Sequence, residues 1–473
     1  MARPPSNSDC SRANVLFIMT DQWRWDWLSC IGTVGPRTPH VDALTERGVH
    51  MTHLVTDAAI CAPARIALAS AMSPLHLDCL TNSSVLPTGT ETWHHRFRDS
   101  GYRVGLVGQT DLSKPTRNIG QQGNRELVYE WGFSDGLEVE GKMHAAAGGE
   151  GFPLGPYGAF LASRGLFEAF HHDYNARNIP MYRALFTNAH YDDPDWYRDS
   201  VLPADAFADT WIGERAVDWL VNAGDGPWNL MVSFAGPHDP FDPPSRWADM
   251  FRHVDMADPV LDAIDNKPLY LTTSAWGFDA AGIAEIRRQY SASCAAIDHE
   301  VGRMVAVLED RGLLTETIVV FTSDHGEMLG DHHRFQKHVA YEPSVRVPFV
   351  AAGPGIAQGS SDALAQLSDV GPTLCELAGL EPWRGVDGVS FAPTLASPAV
   401  AHRDAVVCVE PHYRMVRTQD RKFIWNNNDI DEVYNLDNDP GERENLRGNT
   451  DESELRGLLI EQTGPLPETP SLS

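Results

Sequence analysis

Hydrophobic residues in this chain come in two textures. Up to about residue 395 they form short, nearly unbroken runs: Asn14-Val15-Leu16-Phe17-Ile18-Met19-Thr20, Arg103-Val104-Gly105-Leu106-Val107, Asn229-Leu230-Met231-Val232-Ser233-Phe234 and Thr317-Ile318-Val319-Val320-Phe321-Thr322-Ser323. Strands without polar alternation are covered on both faces, as in the parallel sheet of an α/β domain. Before the last of these runs, Tyr290, Cys294, Ile297, Val301, Met304 and Leu308 recur at helical spacing. That stripe belongs to an amphipathic helix lying on the sheet, the crossover of a βαβ unit. Ser344 to Val350 reads as a further strand, and Asp369-Val370-Gly371-Pro372-Thr373 starts a helix. Beyond 395 the runs shorten: Ala405–Val409, Tyr413–Arg417, Lys422–Trp425 and Glu432–Leu436, with a turn at Asn438-Asp439-Pro440-Gly441. These predict a small antiparallel sheet closed by a last helix. The expected organisation is a disordered leader over 1–12, a catalytic α/β domain over 13–395 and an α+β subdomain over 396–473, with a disordered Pro/Ser-rich tail after 464.

The polar residues that follow these runs carry the chemistry. Asp21-Gln22 follows the first strand, Gln109-Thr110-Asp111 the second, His238 the third and Asp324-His325 the fourth. Open α/β sheets bind ligands outside the carboxyl ends of their strands, so one sheet edge collects four sets of candidate groups. Asp21 taken alone is also compatible with a helix N-cap. His238 stands between Pro237 and Asp239-Pro240, where neither a helix nor a central strand continues. The segment 140–205 is rich in Gly, His, Tyr and Asp without a sustained period, and reads as an insertion that shapes the substrate pocket over this edge. Trp247 and Trp276, in or just beyond the 239–275 stretch, are expected to line the pocket as well.

Cys61-Ala62-Pro63-Ala64-Arg65 heads an Ala-rich run. Proline suits a first helical turn, whose free N–H groups and dipole favour an anion beside Cys61. Arg65, one turn on, can reach the same anion with its planar fork. The chain of 473 residues carries a formal charge of -28, which argues against nucleic acid or an anionic membrane as partner. In so acidic a protein each Lys and Arg is informative. Seven scattered cysteines form neither a CxxC zinc pattern nor a disulfide framework. Neither an apolar signal segment nor a long apolar run is present, so a cytoplasmic location is expected.

Assembled, these positions resemble the formylglycine-dependent (type I) sulfatases of the alkaline phosphatase superfamily, which include related phosphonate monoester hydrolases. The matching residues are Thr20-Asp21-Gln22, Cys61 to Arg65, Pro237-His238-Asp239-Pro240-Phe241, Ser323-Asp324-His325-Gly326, Lys337 and Tyr434-Asn435-Leu436 with Asp439-Pro440-Gly441-Glu442. The resemblance implies an alkaline-phosphatase-like, mostly parallel sheet sandwiched by helices. It implies that a maturation enzyme oxidises Cys61 to 3-oxoalanine (formylglycine), whose hydrate attacks the ester. Asp21, Gln22, Asp324 and His325, with residue 61, would hold a divalent metal. An oxygen-rich set suits Ca²⁺ best, with Mn²⁺ and Mg²⁺ as alternatives. Arg65 and Lys337 would offset charge on the transferred group, and His238 would protonate the leaving oxygen.

One departure stands out. Many sulfatases carry Lys-x-His where this chain has Gln109-Thr110-Asp111, which makes Gln109 and Asp111 candidate substrate contacts and Lys114 a candidate replacement for the cation. The first expectation is hydrolysis of small-molecule sulfate esters through a covalent sulfo-enzyme intermediate. The second is a phosphonate monoester or phosphodiester hydrolase, and the third a binding homologue with weakened catalysis. A homo-oligomer is compatible with the sequence but not specified by it.

Overall fold

The computed structural model describes residues 12–467 except 117, 149–152, 188, 264–265 and 273–275. Almost all of the leader and the end of the tail expected to be disordered lie outside the described residues.

The strands are β1 (Asn14–Asp21), β2 (Val49–Val55), β3 (Arg103–Gly108), β4 (Asp135–Glu138), β5 (Trp228–Pro237), β6 (Thr317–Ser323), β7 (Arg346–Ala352) and β8 (Gly359–Gln366). They form one sheet in the order β4-β3-β5-β1-β6-β7-β2-β8. The four strands read as continuous apolar runs are the four adjacent strands β3, β5, β1 and β6, all parallel. Their unbroken hydrophobicity has a direct cause. Leu16 and Ile18 of β1 enter one core layer while Val15, Phe17 and Met19 enter the other. The Ala280–Asp310 helix covers the first layer together with Ala208–Val221. The Cys61–Ser70 and Val370–Leu377 helices cover the second. β7 runs antiparallel to both β6 and β2.

Strands β9 (Val406–Glu410), β10 (Tyr413–Arg417), β11 (Arg421–Asn426) and β12 (Glu432–Asn435) form a separate antiparallel sheet. Its Tyr413, Met415, Ile424 and Tyr434 pack on Met328, Val339 and Tyr341 of the large domain. Its opposite face holds Val416, Phe423 and Val433 against Leu455 and Leu459 of the closing Ser453–Thr463 helix. A buried charge lattice ties the two units together. Glu342 accepts from Arg417 Nε at 3.1 Å and lies 2.8 Å from Lys422 Nζ, which also donates to Glu442 at 2.6 Å. Among the described residues no helix is long and apolar enough to cross a membrane.

Candidate active site

Asp21 closes β1, Asp324 and His325 follow β6, and Cys61 opens its helix, so three loops meet at one sheet edge. Ligand atoms of Asp21, Cys61, Asp324 and His325 all lie within 4.8 Å of one another, and all four residues are buried. Cys61 Sγ sits 3.2 Å from His325 Nε2 and 3.6 Å from Asp21 Oδ1. His325 Nδ1 donates to the Gly326 carbonyl at 3.0 Å. That bond fixes the ring orientation and turns Nε2 into the cluster, the orientation used by metal-binding histidines. Burial opposes charge on His325, but Asp324 and the Cys61 sulfur hold its pKa up at about 9. The cluster therefore calls for positive charge, and its donor set fits a divalent cation. Burial also opposes a thiolate at Cys61, yet Lys114, Lys337 and His325 together bring its pKa well below the usual thiol range.

Arg65 takes a different place from the one its spacing suggested. Its Nε donates to Asp324 Oδ2 at 2.8 Å and its Nη2 to Asp21 Oδ2 at 3.0 Å. Nη1 reaches Ser233 Oγ at 3.1 Å and the Gln109 carbonyl at 3.2 Å. Four of the five N–H donors are thus engaged, two of them on the cluster carboxylates, which holds those carboxylates in place. Ser233, on β5, was not legible as a site residue.

Gln22 has a left-handed backbone, φ 73°, and its amide is wired rather than loose. Nε2 donates to Glu327 and, at 3.3 Å, to Asp239 Oδ1, which directs Oε1 toward Lys337 Nζ. Lys337 Nζ also lies 2.7 Å from His238 Nε2. Burial opposes its charge, but Cys61, Asp21 and Asp239 outweigh that and raise its pKa. His238 Nδ1 donates to the Asp239 carbonyl at 2.7 Å, so Nε2 is the acceptor facing the lysine. Glu327, buried and pushed up to about 7 chiefly by that burial, anchors the back of this chain through Leu329 N and Gln336 N.

Near the departed Lys-x-His position the structure places the cation of Lys114. It borders both an inner recess, shared with Asp21, Gln109 and His238, and an outer chamber of about 450 Å³, shared with Lys337. Its Nζ donates to Asp111 Oδ2 at 2.8 Å. Asp111 itself borders neither space, its carboxylate being held by that lysine. Gln109 does border the recess.

The insertion contributes as expected: Met143 and His144 from the Gly141–Ala147 helix and Tyr174 and Tyr182 from Phe167–Thr187 line these spaces. Lys142 grips the His238 loop through the carbonyls of His238 and Pro240, each at 3.0 Å, and through Asp242 at 2.9 Å. The scarcity of cations in the chain was the signal that could have picked it out. The two tryptophans are corrected. Trp247 packs on His299 and near Phe251 and Ala292, and Trp276 packs on Trp196 and Phe335. Large flat side chains there fill the support beneath the pocket loops and do not line the pocket.

Residues 13–380 match the sulfatase family. The chain belongs to that family. Residues 330–466 match the C-terminal region of N-sulphoglucosamine sulphohydrolase. Among curated relatives of this family member, an arylsulfatase of Clostridium perfringens is 26% identical over 95% of this chain and 94% of its own. A multifunctional alkaline phosphatase superfamily protein of Trinickia caryophylli is 27% identical over 82% of this chain and 77% of its own. The solved phosphonate monoester hydrolase of Agrobacterium radiobacter superposes with a TM-score of 0.76 at 25% identity, covering 95% of this chain and 94% of that one.

Proposed function

We propose that this sulfatase-family member hydrolyses sulfate esters to an alcohol and free sulfate, using formylglycine at position 61 and a divalent metal, through a covalent sulfo-enzyme intermediate. The observation that carries the reading is Cys61 inside the Asp21, Asp324, His325 cluster, faced by the cations of Lys114 and Lys337. A divalent ion, Ca²⁺ by donor chemistry, would be held by Asp21, Gln22, Asp324, His325 and residue 61, and would supply Lewis acidity to the transferred group. Conversion of Cys61 by a maturation enzyme would supply a hydrated aldehyde at this position, a nucleophile for sulfur. Arg65 keeps the two carboxylates in register. Lys114 and Lys337 face the oxygens on which charge builds. Lys337 passes a proton across their 2.7 Å contact to His238 Nε2, and His238 hands it on to the leaving oxygen.

A second reading is favoured by the Lys114–Asp111 pair. The carboxylate cancels part of the lysine's charge, which suits a phosphonate monoester or phosphodiester with fewer exposed anionic oxygens. The superposition on a phosphonate monoester hydrolase supports it. The deciding experiment measures kcat/KM on an aryl sulfate, a phosphonate monoester and a phosphodiester with Ca²⁺ and Mn²⁺ compared. A hundredfold preference for sulfate, about 2.7 kcal/mol, supports the first reading. The reverse preference selects the second.

A further inference from the structure

The walls of the outer chamber carry cations and neutral polar groups. About one residue in seven of this chain is acidic, yet none of the described residues bordering the chamber is a carboxylate. Its walls carry Lys114, Lys337 and three histidines, with the amides of Asn82 and Gln336 and the hydroxyl of Ser83. The neighbouring acids are turned away from it. Asp111 is spent on Lys114, and Asp239 accepts from Gln22 and Gln336. Glu410, on the C-terminal sheet, is buried behind His338 and accepts from its Nδ1 at 3.0 Å. His412 Nε2 braces the same loop through the His338 carbonyl at 2.9 Å. Asn82 accepts from Ala62 N at 3.1 Å through its Oδ1, which leaves its NH₂ as the end available to the chamber.

We infer that the leaving group is itself anionic: it carries a carboxylate or a second sulfate that sits in the outer chamber against His338, Asn82 and Ser83 while the reacting ester occupies the recess. This rests on the ester-hydrolase reading above and names its substrate class. Ammonium groups and polar N–H donors without a bordering carboxylate favour an anion in a confined space and disfavour a cation. His338, held between the large domain and the C-terminal sheet, makes that selectivity depend on both units.

The test uses the matured, metal-loaded enzyme and esters of three meta-substituted phenols: 3-hydroxybenzoate, 3-hydroxybenzyl alcohol and 3-hydroxybenzylamine. Each is prepared as the sulfate and as the phenylphosphonate. The expected order of kcat/KM is anionic over neutral by at least tenfold, with the cationic ester poorest. His338→Gln and the surface substitution Ser83→Asp, which introduces a negative charge, each reduce the anionic-to-neutral ratio fivefold or more, and the second variant leaves the buried loop intact. A neutral or cationic preference, or ratios unmoved by both variants, overturns the inference while leaving the hydrolase reading standing. Turnover of none of the esters instead defeats the hydrolase reading. Calorimetric titration with the three free phenols then decides the chamber, and equal or weaker binding of 3-hydroxybenzoate overturns it.

Discussion

Replacing Lys114 with alanine tests whether this lysine has taken over the work of the missing one. Its ammonium is 17% exposed and its partner Asp111 9%, so the pair lies in a setting where an effective dielectric near 20 applies better than that of bulk water. At that dielectric a unit charge about 4 Å from a developing anion contributes about 4 kcal/mol, and loss of one such donor elsewhere costs a factor of about 10² to 10³ in rate. Lys114→Ala should therefore lower kcat/KM by two to three orders of magnitude, measured by initial rates on whichever ester the wild-type enzyme prefers. Part of that loss comes from Asp111, left unpaired and repelling the substrate. The double variant Asp111→Asn/Lys114→Ala removes this repulsion and should recover about tenfold, about 1.4 kcal/mol, yet stay at least tenfold below wild type. Lys114→Ala within threefold of wild type would refute the reasoning. A double variant at the wild-type rate would refute it differently, by showing that the lysine only neutralises Asp111.

Lys142→Met should destabilise the fold by about 3–5 kcal/mol in urea titrations, because Asp242 is left buried without its partner; adding Asp242→Asn should return most of that. His94 lies between Trp93 and Phe133 at ring distances of 3.8 and 4.1 Å, and burial, with a smaller push from His95, holds it well below the usual imidazole range. A depressed folded pKa means its contribution is complete above the unfolded value near 6.5 and is lost on acidification, so wild type should lose about 1.4 kcal/mol more than His94→Phe between pH 7.5 and 5.5. Parallel denaturant titrations at the two pH values check this, and parallel pH profiles would contradict it. Chelation should lower Tm, and excess Ca²⁺ or Mn²⁺ should restore it, with the restoration weakened in Asp324→Asn. Cys61→Ala should abolish turnover, and mass spectrometry of the active wild-type peptide should show H₂S replaced by O.

The parts of the fold legible in the sequence were those whose neighbours lie on both sides. β3, β5, β1 and β6 announced themselves because each face of each strand meets a core layer. β2 did not, since His50, Thr52 and His53 interrupt Val49–Val55, and β8 opens with Gly359-Ser360-Ser361-Asp362, an edge strand with exposed residues. The cluster Asp21, Asp324, His325 and Cys61 was legible because strand ends in a parallel sheet share one edge. What each side chain binds was not. Helical spacing placed Arg65 beside Cys61 but held no record of two carboxylates converging on the same guanidinium. The positive φ of Asp111, 52°, breaks the strand direction, and Lys114 appears where an extended count would not put it. Glu410 and His412 stand some seventy residues from His338 and meet it only because the small sheet docks there.

Every residue from Cys61 to Ser70 is buried. An enzyme that modifies a side chain must first surround it, and here the side chain is enclosed by the folded protein at the bottom of the recess. The proposed oxidation of Cys61 is therefore an event of biosynthesis, competing in time with collapse of the sheet around the helix. Chains that folded first would keep the thiol, out of reach of a maturation enzyme added later. On that proposal, slower elongation or a weakened core around this helix should raise the converted fraction.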